Sequence, residues 1–348
     1  MMRILHSADL HLDAPFAGRT GAEAAYLRQE LLKVPGKLAE LCLSRQCDLV
    51  LLAGDLFDGA YSQESYRALY TAMERMGVPV FVSPGNHDHC GMNSPWEREK
   101  WPENVHVFGK ERLESLAIES LDCRVYGAAY QSMDCPGLLD GFVAEGAEKY
   151  RIGLLHADPT QAATPYCPMT AEQVRRSGLQ YLALGHIHKS GSFRVGETLC
   201  AWPGCPMGRG YDETGEKGVL IVEVDDTASV EFVPLHTPRF YDLQSDGLNW
   251  KSLLPPAGSD DFYRITLTGY GAGEAAEIPA GFSHLVLRDE RVPEADLWGS
   301  AGEDTLEGIY FGMLRAAMEA GDEVQQRRMR LAAQISRQIL DGQEVKLP

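Results

Sequence analysis

Apolar residues recur along the first two-thirds of the chain in short continuous runs. Between the runs they return every three or four positions. The runs fit strands covered on both faces, and the spaced stretches fit helices with one buried side. Strands are predicted over 2–8, 48–53 and 78–83, with helices over 22–43 and 63–76 between them. Pro35-Gly36 must break or kink the first helix, because proline has no amide proton and crowds the preceding turn. Further strands are expected over 124–128, 151–156 and 181–184, and shorter ones over 193–195, 199–202, 219–224 and 230–235. The β-α-β-α-β opening predicts a layered α/β fold, and the later strands without helices between them make its sheets mixed.

After His236 the pattern changes. Strands are predicted over 239–243, 263–267 and 283–287, the first two separated by a polar, Pro- and Gly-bearing stretch at 253–261. Beyond Asp304 the text is helical, with Leu306, Ile309, Tyr310, Met313, Leu314 and Ala317 forming an apolar stripe. Gly321-Asp322 ends that helix, and a second over 323–340 carries Arg327, Arg328, Arg330 and Arg337. The chain therefore divides into a core at 1–238, a small α+β accessory domain at 239–300, and a helical segment at 301–348. An amphipathic helix pair of this kind either packs on its own domain or docks on a partner, and both readings stand.

Charge and composition narrow the classes. The 348 residues carry 32 Lys+Arg against 50 Asp+Glu, a formal net charge of −18. A generally basic surface that wraps nucleic acid is thereby excluded. Hydrophobic residues at 44% and charged residues at 24% are those of an ordinary globular protein. No apolar run approaches the ~18 residues that span a bilayer. Asp9 and His11 arrive too early for a secretory leader, and eight cysteines without a CxxC pair read as reduced, buried thiols. A soluble cytoplasmic protein is expected.

Acidic and imidazole residues gather where the strands end. Asp9-Leu10-His11 follows the first strand, and an i, i+2 pair projects to one side if the chain stays extended. Gly54-Asp55-Leu56-Phe57-Asp58 follows the second and Gly85-Asn86-His87-Asp88 the third. His156 closes the strand 151–156, and Gly185-His186-Ile187-His188 follows 181–184. In open α/β sheets, ligands sit at the carboxyl ends of strands. Each motif alone is usually a turn or a hydrogen-bonded structural histidine. Together they converge polar groups that, without a cation, would repel one another and lose solvation. His6, His106, His236 and His284 read as structural, and Asp88 and His89 as turn residues or supports for the cluster.

The order and types of these residues resemble the calcineurin-like metallophosphoesterase superfamily, with its pattern DxH, GDxxD, GNH(D/E), H, GHxH over residues 4–188. The resemblance implies a layered α-β-β-α sandwich and two bound divalent metal ions. It places one metal on Asp9, His11, Asp55 and His188, and the other on Asp55, Asn86, His156 and His186, with Asp55 bridging. Imidazole, carboxylate and carbonyl oxygen without thiolate suit Mn²⁺ first and also accommodate Fe, Co, Zn or Mg. Such a pair would clamp a phosphodiester and activate water for in-line attack. His87 is implied as the general acid that protonates the leaving oxygen, and Asp58 as the residue orienting it, a loop cap being the alternative for Asp58.

The wording within the motifs, ILHSADLHL, LLAGDLFD, PGNHD and YLALGHIH, is similar to the DNA-repair nuclease branch of SbcD/YhaO-type exonucleases. Trp202-Pro203-Gly204-Cys205-Pro206 and the stretch GRGYDETGEKGVLIVEV resemble the same branch. Phosphoprotein phosphatases carry Arg-Gly after the second motif, where this chain has Gly59-Ala60. The branch implies a double-strand DNA exonuclease with endonuclease potential, a capping domain that holds DNA, a homodimer, and C-terminal helices docking on an SbcC-like coiled-coil ATPase. The alternatives are a nucleotide or small-molecule phosphodiesterase and a non-catalytic scaffold.

Overall fold

The structure is a computed structural model describing residues 1–161, 163–245, 250–256, 258–271, 277–293, 297–342 and 345. The predicted accessory domain thus has 246–249, 257, 272–276 and 294–296 outside the described residues, and the predicted helical segment has 343–344 and 346–348 outside them. The chain forms two compact units, Met1–Arg239 and Phe240–Pro348.

In the first unit the elements run β1 (Met2–Ser7), α1 (Gly21–Leu32), α2 (Val34–Ser44), β2 (Leu49–Leu52), α3 (Gln63–Met76), β3 (Val80–Val82), α4 (Pro95–Arg98), β4 (Val105–Val107) and β5 (Glu114–Ile118). They continue with β6 (Cys123–Gly127), β7 (Tyr150–His156), α5 (Ala171–Arg176), β8 (Tyr181–Gly185), β9 (Gly191–Val195), β10 (Thr198–Trp202), β11 (Gly218–Val224) and β12 (Ala228–Pro234). One six-stranded sheet has the order β12-β11-β1-β2-β3-β4, the other β5-β6-β7-β8-β10-β9. Strands β1 to β4 of the first sheet and β6, β7, β8 and β10 of the second are parallel; antiparallel strands β11 and β12 extend one side of the first sheet, and β5 and β9 form both edges of the second. The mixed two-sheet α/β sandwich expected from the sequence is what the chain adopts.

The sheets face each other across one core. Ile4, Leu49, Leu51, Phe81, Leu220 and Val222 from the first meet Val125, Ile152, Leu154, Tyr181, Ala183 and Ala201 from the second, all buried. Alternate residues face the other way, so β7 and β8 send Leu155, Leu182 and Leu184 into a second cluster with Val174 of α5. Burial of both faces explains the continuous apolar runs. α3 starts at Ser62, whose hydroxyl accepts from the Ser65 amide at 3.1 Å, and stops at left-handed Gly77 (φ 67°). The break in the first helical stretch falls at Lys33, not at Pro35-Gly36. Pro35 lies in the first turn of α2, where its missing N–H leaves no bond unmade. β4 and α4 are too short for a periodic signal, and β5 and α5 were likewise not foreseen.

The second unit holds β13 (Phe240–Ser245), β14 (Phe262–Leu267) and β16 (Leu285–Asp289) in one parallel sheet, a short pair β15 (Tyr270–Gly271) and β17 (Val292–Pro293), and helices α6 (Leu306–Ala320) and α7 (Glu323–Leu340). The apolar stripe read on α6 is split: Leu314 packs inward, and Leu306, Ile309, Tyr310 and Met313 do not. Phe311 is buried with Leu297, Trp298 and Ala333, and Leu314 and Met318 pack on them. Leu306 and Met313 are 87% and 68% exposed, and Ile309 and Tyr310 are exposed as well. α6 is apolar on two sides, so periodicity alone could not say which turns inward. No helix among the described residues is long and apolar enough to cross a membrane.

Candidate metal centre

The carboxyl ends of β1, β2 and β3 from one sheet, and of β7 and β8 from the other, deliver their motifs to one edge of the sandwich. Backbone pairing continues past the strands: the Asp9, His11 and Leu12 amides donate to the Gly54, Asp55 and Leu56 carbonyls, each at 2.9 Å. Asp9 and His11 do not reach the site along an extended chain, as an i, i+2 projection requires. Both are left-handed (φ 53° and 49°), as are Asp55 (52°) and His186 (84°). Four non-glycine residues in so sparse a region of backbone space mark a site whose geometry outranks local comfort. The glycines of the motifs allow close approach: a Cβ on Gly185 would lie 1.9 Å from the Ala53 carbonyl oxygen.

All nine singled-out residues, Asp9, His11, Asp55, Asp58, Asn86, His87, His156, His186 and His188, come together there. His11 Nε2 lies 3.2 Å from His188 Nε2 and 3.8 Å from Asp55 Oδ2, and His188 Nε2 lies 3.8 Å from Asp9 Oδ1. On the other side, His156 Nε2 lies 2.9 Å from Asn86 Oδ1, 3.3 Å from His186 Nδ1 and 3.4 Å from Asp55 Oδ2. Asp9 reaches both sides, since its carboxylate groups within 4.8 Å with His11 and His188, and again with Asp55 and His156.

The outer nitrogens of the rings fix which inner atoms carry lone pairs. His156 Nδ1 donates to the Ala53 carbonyl at 2.8 Å, and His11 Nδ1 donates to Asp58 Oδ1 at 3.0 Å. A neutral imidazole donates from one nitrogen only, so each Nε2 presents a lone pair inward. Burial holds both rings neutral, His156 lowered to about 3 and His11 to about 4, and His186 is likewise lowered to about 4. Burial pushes Asp9 up to about 8, with the Asp55 charge adding to it. Imidazole lone pairs, carboxyl groups and the Asn86 oxygen thus face one another at 2.9–3.8 Å, the donor set a divalent cation satisfies.

His87 differs. Its side chain is 41% exposed, and Nδ1 donates to Asp58 Oδ1 at 2.9 Å. The hydrogen bond it donates to Asp58 raises its pKa above the ordinary imidazole value. Asp58 in turn lies well below the usual carboxylate range because His11 and His87 both donate to it. It is therefore more than a loop cap, serving two rings at once.

Three supporting residues were not resolved from sequence. Asp88 is buried and accepts from the amides of Asp55 (3.1 Å), Leu56 (2.8 Å) and Gly85 (2.7 Å), tying the second and third loops together. Glu213 accepts from His188 Nδ1 at 2.6 Å, and Arg209 donates to it through Nη2 at 3.0 Å. Only the branch-like wording around Gly208–Gly218 hinted at them. His6 is structural, its ring bonded to Tyr181 Oη at 2.7 Å and the Leu184 carbonyl at 3.1 Å, and His106 packs on Phe81 and Phe108.

A two-sheet sandwich with a carboxylate–imidazole centre at its strand ends defines a class of metal-binding hydrolases. The chain belongs to the calcineurin-like phosphoesterase family, which it matches over residues 2–190, and it is a metallophosphoesterase. It is 32% identical over 340 residues, 88% of this chain and 82% of the relative, to the uncharacterized metallophosphoesterase YhaO of Bacillus subtilis strain 168. The SbcD component of the nuclease SbcCD from the same organism is 26% identical over 64% of this chain and 66% of its own. Its counterpart in Rhodobacter capsulatus is 27% identical over 68% of this chain and 70% of its own.

Proposed function

We propose that the protein is a two-metal DNA phosphodiesterase, an exonuclease that works with an SbcC-like ATPase. Asp9, His11, Asp55 and His188 would hold one divalent cation, and Asp55, Asn86, His156 and His186 the other, with Mn²⁺ the favoured ion. The observation that carries the reading is the confrontation of inward lone pairs and carboxylates at 2.9–3.8 Å around Asp55. When bound, the cations would offset phosphate charge and make water a better nucleophile.

The remaining work falls to side chains. Asp58 fixes the His87 ring with its proton on Nδ1 and favours the imidazolium, so Nε2–H is free to protonate the leaving oxygen. His87 is exposed where the other rings are enclosed, as a group that touches substrate must be. The choice of DNA rests on the SbcCD nuclease components among the relatives. The ATPase partner gains support from the exposed stripe Leu306, Ile309, Tyr310 and Met313 on α6.

The test is cleavage by the full chain with Mn²⁺ of linear duplex DNA and of a chromogenic phosphodiester, with and without an SbcC-like partner. DNA cleavage, lost in Asp55→Asn and His87→Gln proteins that fold normally, is the expected result. Cleavage of the small ester alone, even with the partner, overturns the DNA reading in favour of a small-molecule phosphodiesterase.

A further inference from the structure

Glu213 lies in the loop between β10 and β11, twenty-five residues from His188 in sequence, yet its side chain is only 8% exposed and sits against that ring. Three donors converge on Oε1: His188 Nδ1 at 2.6 Å, Arg209 Nη2 at 3.0 Å and Arg209 Nε at 3.3 Å. Oε2 accepts the Arg209 amide at 2.8 Å and faces the Cys205 thiol at 3.7 Å. A carboxylate paired with a guanidinium offers acceptors only. The proton in the 2.6 Å contact therefore belongs to His188 Nδ1, and in the neutral ring Nε2 is left with its lone pair. That nitrogen is the one facing Asp9 Oδ1 and His11 Nε2.

The backbone of His188 is held as well. Its carbonyl accepts from buried Lys217 Nζ at 3.3 Å and from the Cys205 amide at 3.3 Å. A Cβ on Gly204 would meet that same carbonyl oxygen at 2.8 Å. The β10–β11 loop thus grips His188 from outside, at the ring and at the main chain.

We infer that Glu213 is a positioning residue: it fixes His188 with the proton on Nδ1 and Nε2 turned inward as a metal ligand, with Arg209 as its counter-ion. This deepens the proposed two-metal site and rests on it for the ligand role of His188. A carboxylate behind a ligating imidazole orients the ring and raises its basicity, and removing one typically costs about 10–100-fold in metal affinity. The alternative is that Glu213 and Arg209 are only a salt bridge stiffening the loop.

Two measurements decide. Long-range ¹H–¹⁵N spectra of the metal-free protein near pH 8 read the His188 tautomer directly. Calorimetric titration with MnCl₂ then compares wild type, Glu213→Gln and Arg209→Gln. We expect the Nδ1–H tautomer in wild type and its loss in Glu213→Gln. One of two Mn²⁺ affinities should fall about 10–100-fold in Glu213→Gln and by less in Arg209→Gln, which leaves the acceptor carboxylate behind His188 in place. An Nε2–H tautomer in wild type overturns the inference, and so do equal Mn²⁺ affinities in wild type and a folded Glu213→Gln, or equal losses in the two variants. If wild type binds no Mn²⁺, the two-metal reading fails, while the tautomer still reports on Glu213. Should Glu213→Gln fail to fold, the wild-type tautomer alone carries the decision.

Discussion

Gly85→Ala adds one methyl group and no charge, at a point where the centre has no room. The new Cβ would lie 2.3 Å from Asp55 Oδ1, 2.8 Å from the Asp55 amide nitrogen and 2.9 Å from His156 Cγ. Gly85 is not among the residues with positive φ, so the substitution acts through crowding and not through backbone strain. Restoring ordinary contact moves the Asp55 carboxylate by about 1 Å. That carboxylate also accepts the His87 amide at 2.9 Å, a bond the shift would stretch or break. Overpacking and a weakened charge-assisted hydrogen bond together cost roughly 2–4 kcal/mol. Gly91→Ala is the control, because a Cβ there meets nothing within 4 Å, and its effect should stay within about 0.5 kcal/mol. Urea unfolding in EDTA reads the stability, and titration with MnCl₂ should show Gly85→Ala binding at least about tenfold more weakly. If the two alanine variants match in both stability and Mn²⁺ affinity, Gly85 does not set the position of Asp55.

Three further outcomes follow from the interior. Tyr181→Phe removes the hydroxyl bonded to His6 Nδ1 at 2.7 Å in a fully buried pair, and should cost roughly 1–3 kcal/mol in urea unfolding with Mn²⁺ stoichiometry unchanged. Burial lowers His6 to about 3 against 6.5 for the ordinary ring, so between those pH values the unfolded chain takes up a proton that the fold refuses. The His6 contribution to stability therefore falls with pH below 6.5, and His6→Gln should show about 1 kcal/mol less loss than wild type between pH 7 and 5.5. All eight cysteines are buried and free, so a thiol reagent should find none of them within minutes in the native protein and eight in urea.

Much of the centre was legible because its motifs sit where apolar runs stop. The run Leu49–Leu52 ends and Gly54-Asp55 follows; Tyr181–Gly185 ends and His186 follows. Local text marks both the strand and its terminus, and five such termini in order locate the edge. Contacts made across long sequence separations left no such mark. Glu213 is one acid in a polar loop, and its meaning comes from His188, which only the closed sandwich brings within 2.6 Å. Asp88 stays open between a turn residue and a support in the sequence because two of its partners, the amides of Asp55 and Leu56, lie more than thirty positions away. The stripe on α6 holds at Leu314 and fails at Leu306, Ile309, Tyr310 and Met313 for another reason. Leu306, Ile309, Tyr310 and Met313 satisfy helical spacing as well as Phe311, Leu314 and Met318 do, and spacing carries no information about which side finds a neighbour.

The acidity of the chain also reads differently once its carboxylates are placed. Of the 32 acidic residues in 1–237, Asp9, Asp55, Asp58, Asp88 and Glu213 surround the centre with Arg209, leaving 27 acidic against 20 basic residues for the remainder. The outside of this unit stays acidic, so long-range attraction does not bring a polyanion to it. The centre is no more welcoming by itself. His11, His156 and His186 are held neutral by burial, and Arg209 and His87 are engaged by Glu213 and Asp58, which leaves Asp9 and Asp55 facing mostly uncharged rings. Burial above all, with the Asp55 charge added, pushes Asp9 up to about 8 and Asp88 to about 7. On the proposed reading, charge would impose an order, divalent cations before phosphodiester, because without them the centre offers a phosphate carboxyl groups and imidazole lone pairs but little positive charge. A partner that grips DNA elsewhere supplies what this surface lacks, so weak, salt-sensitive binding by the chain alone is compatible with efficient cleavage in a complex.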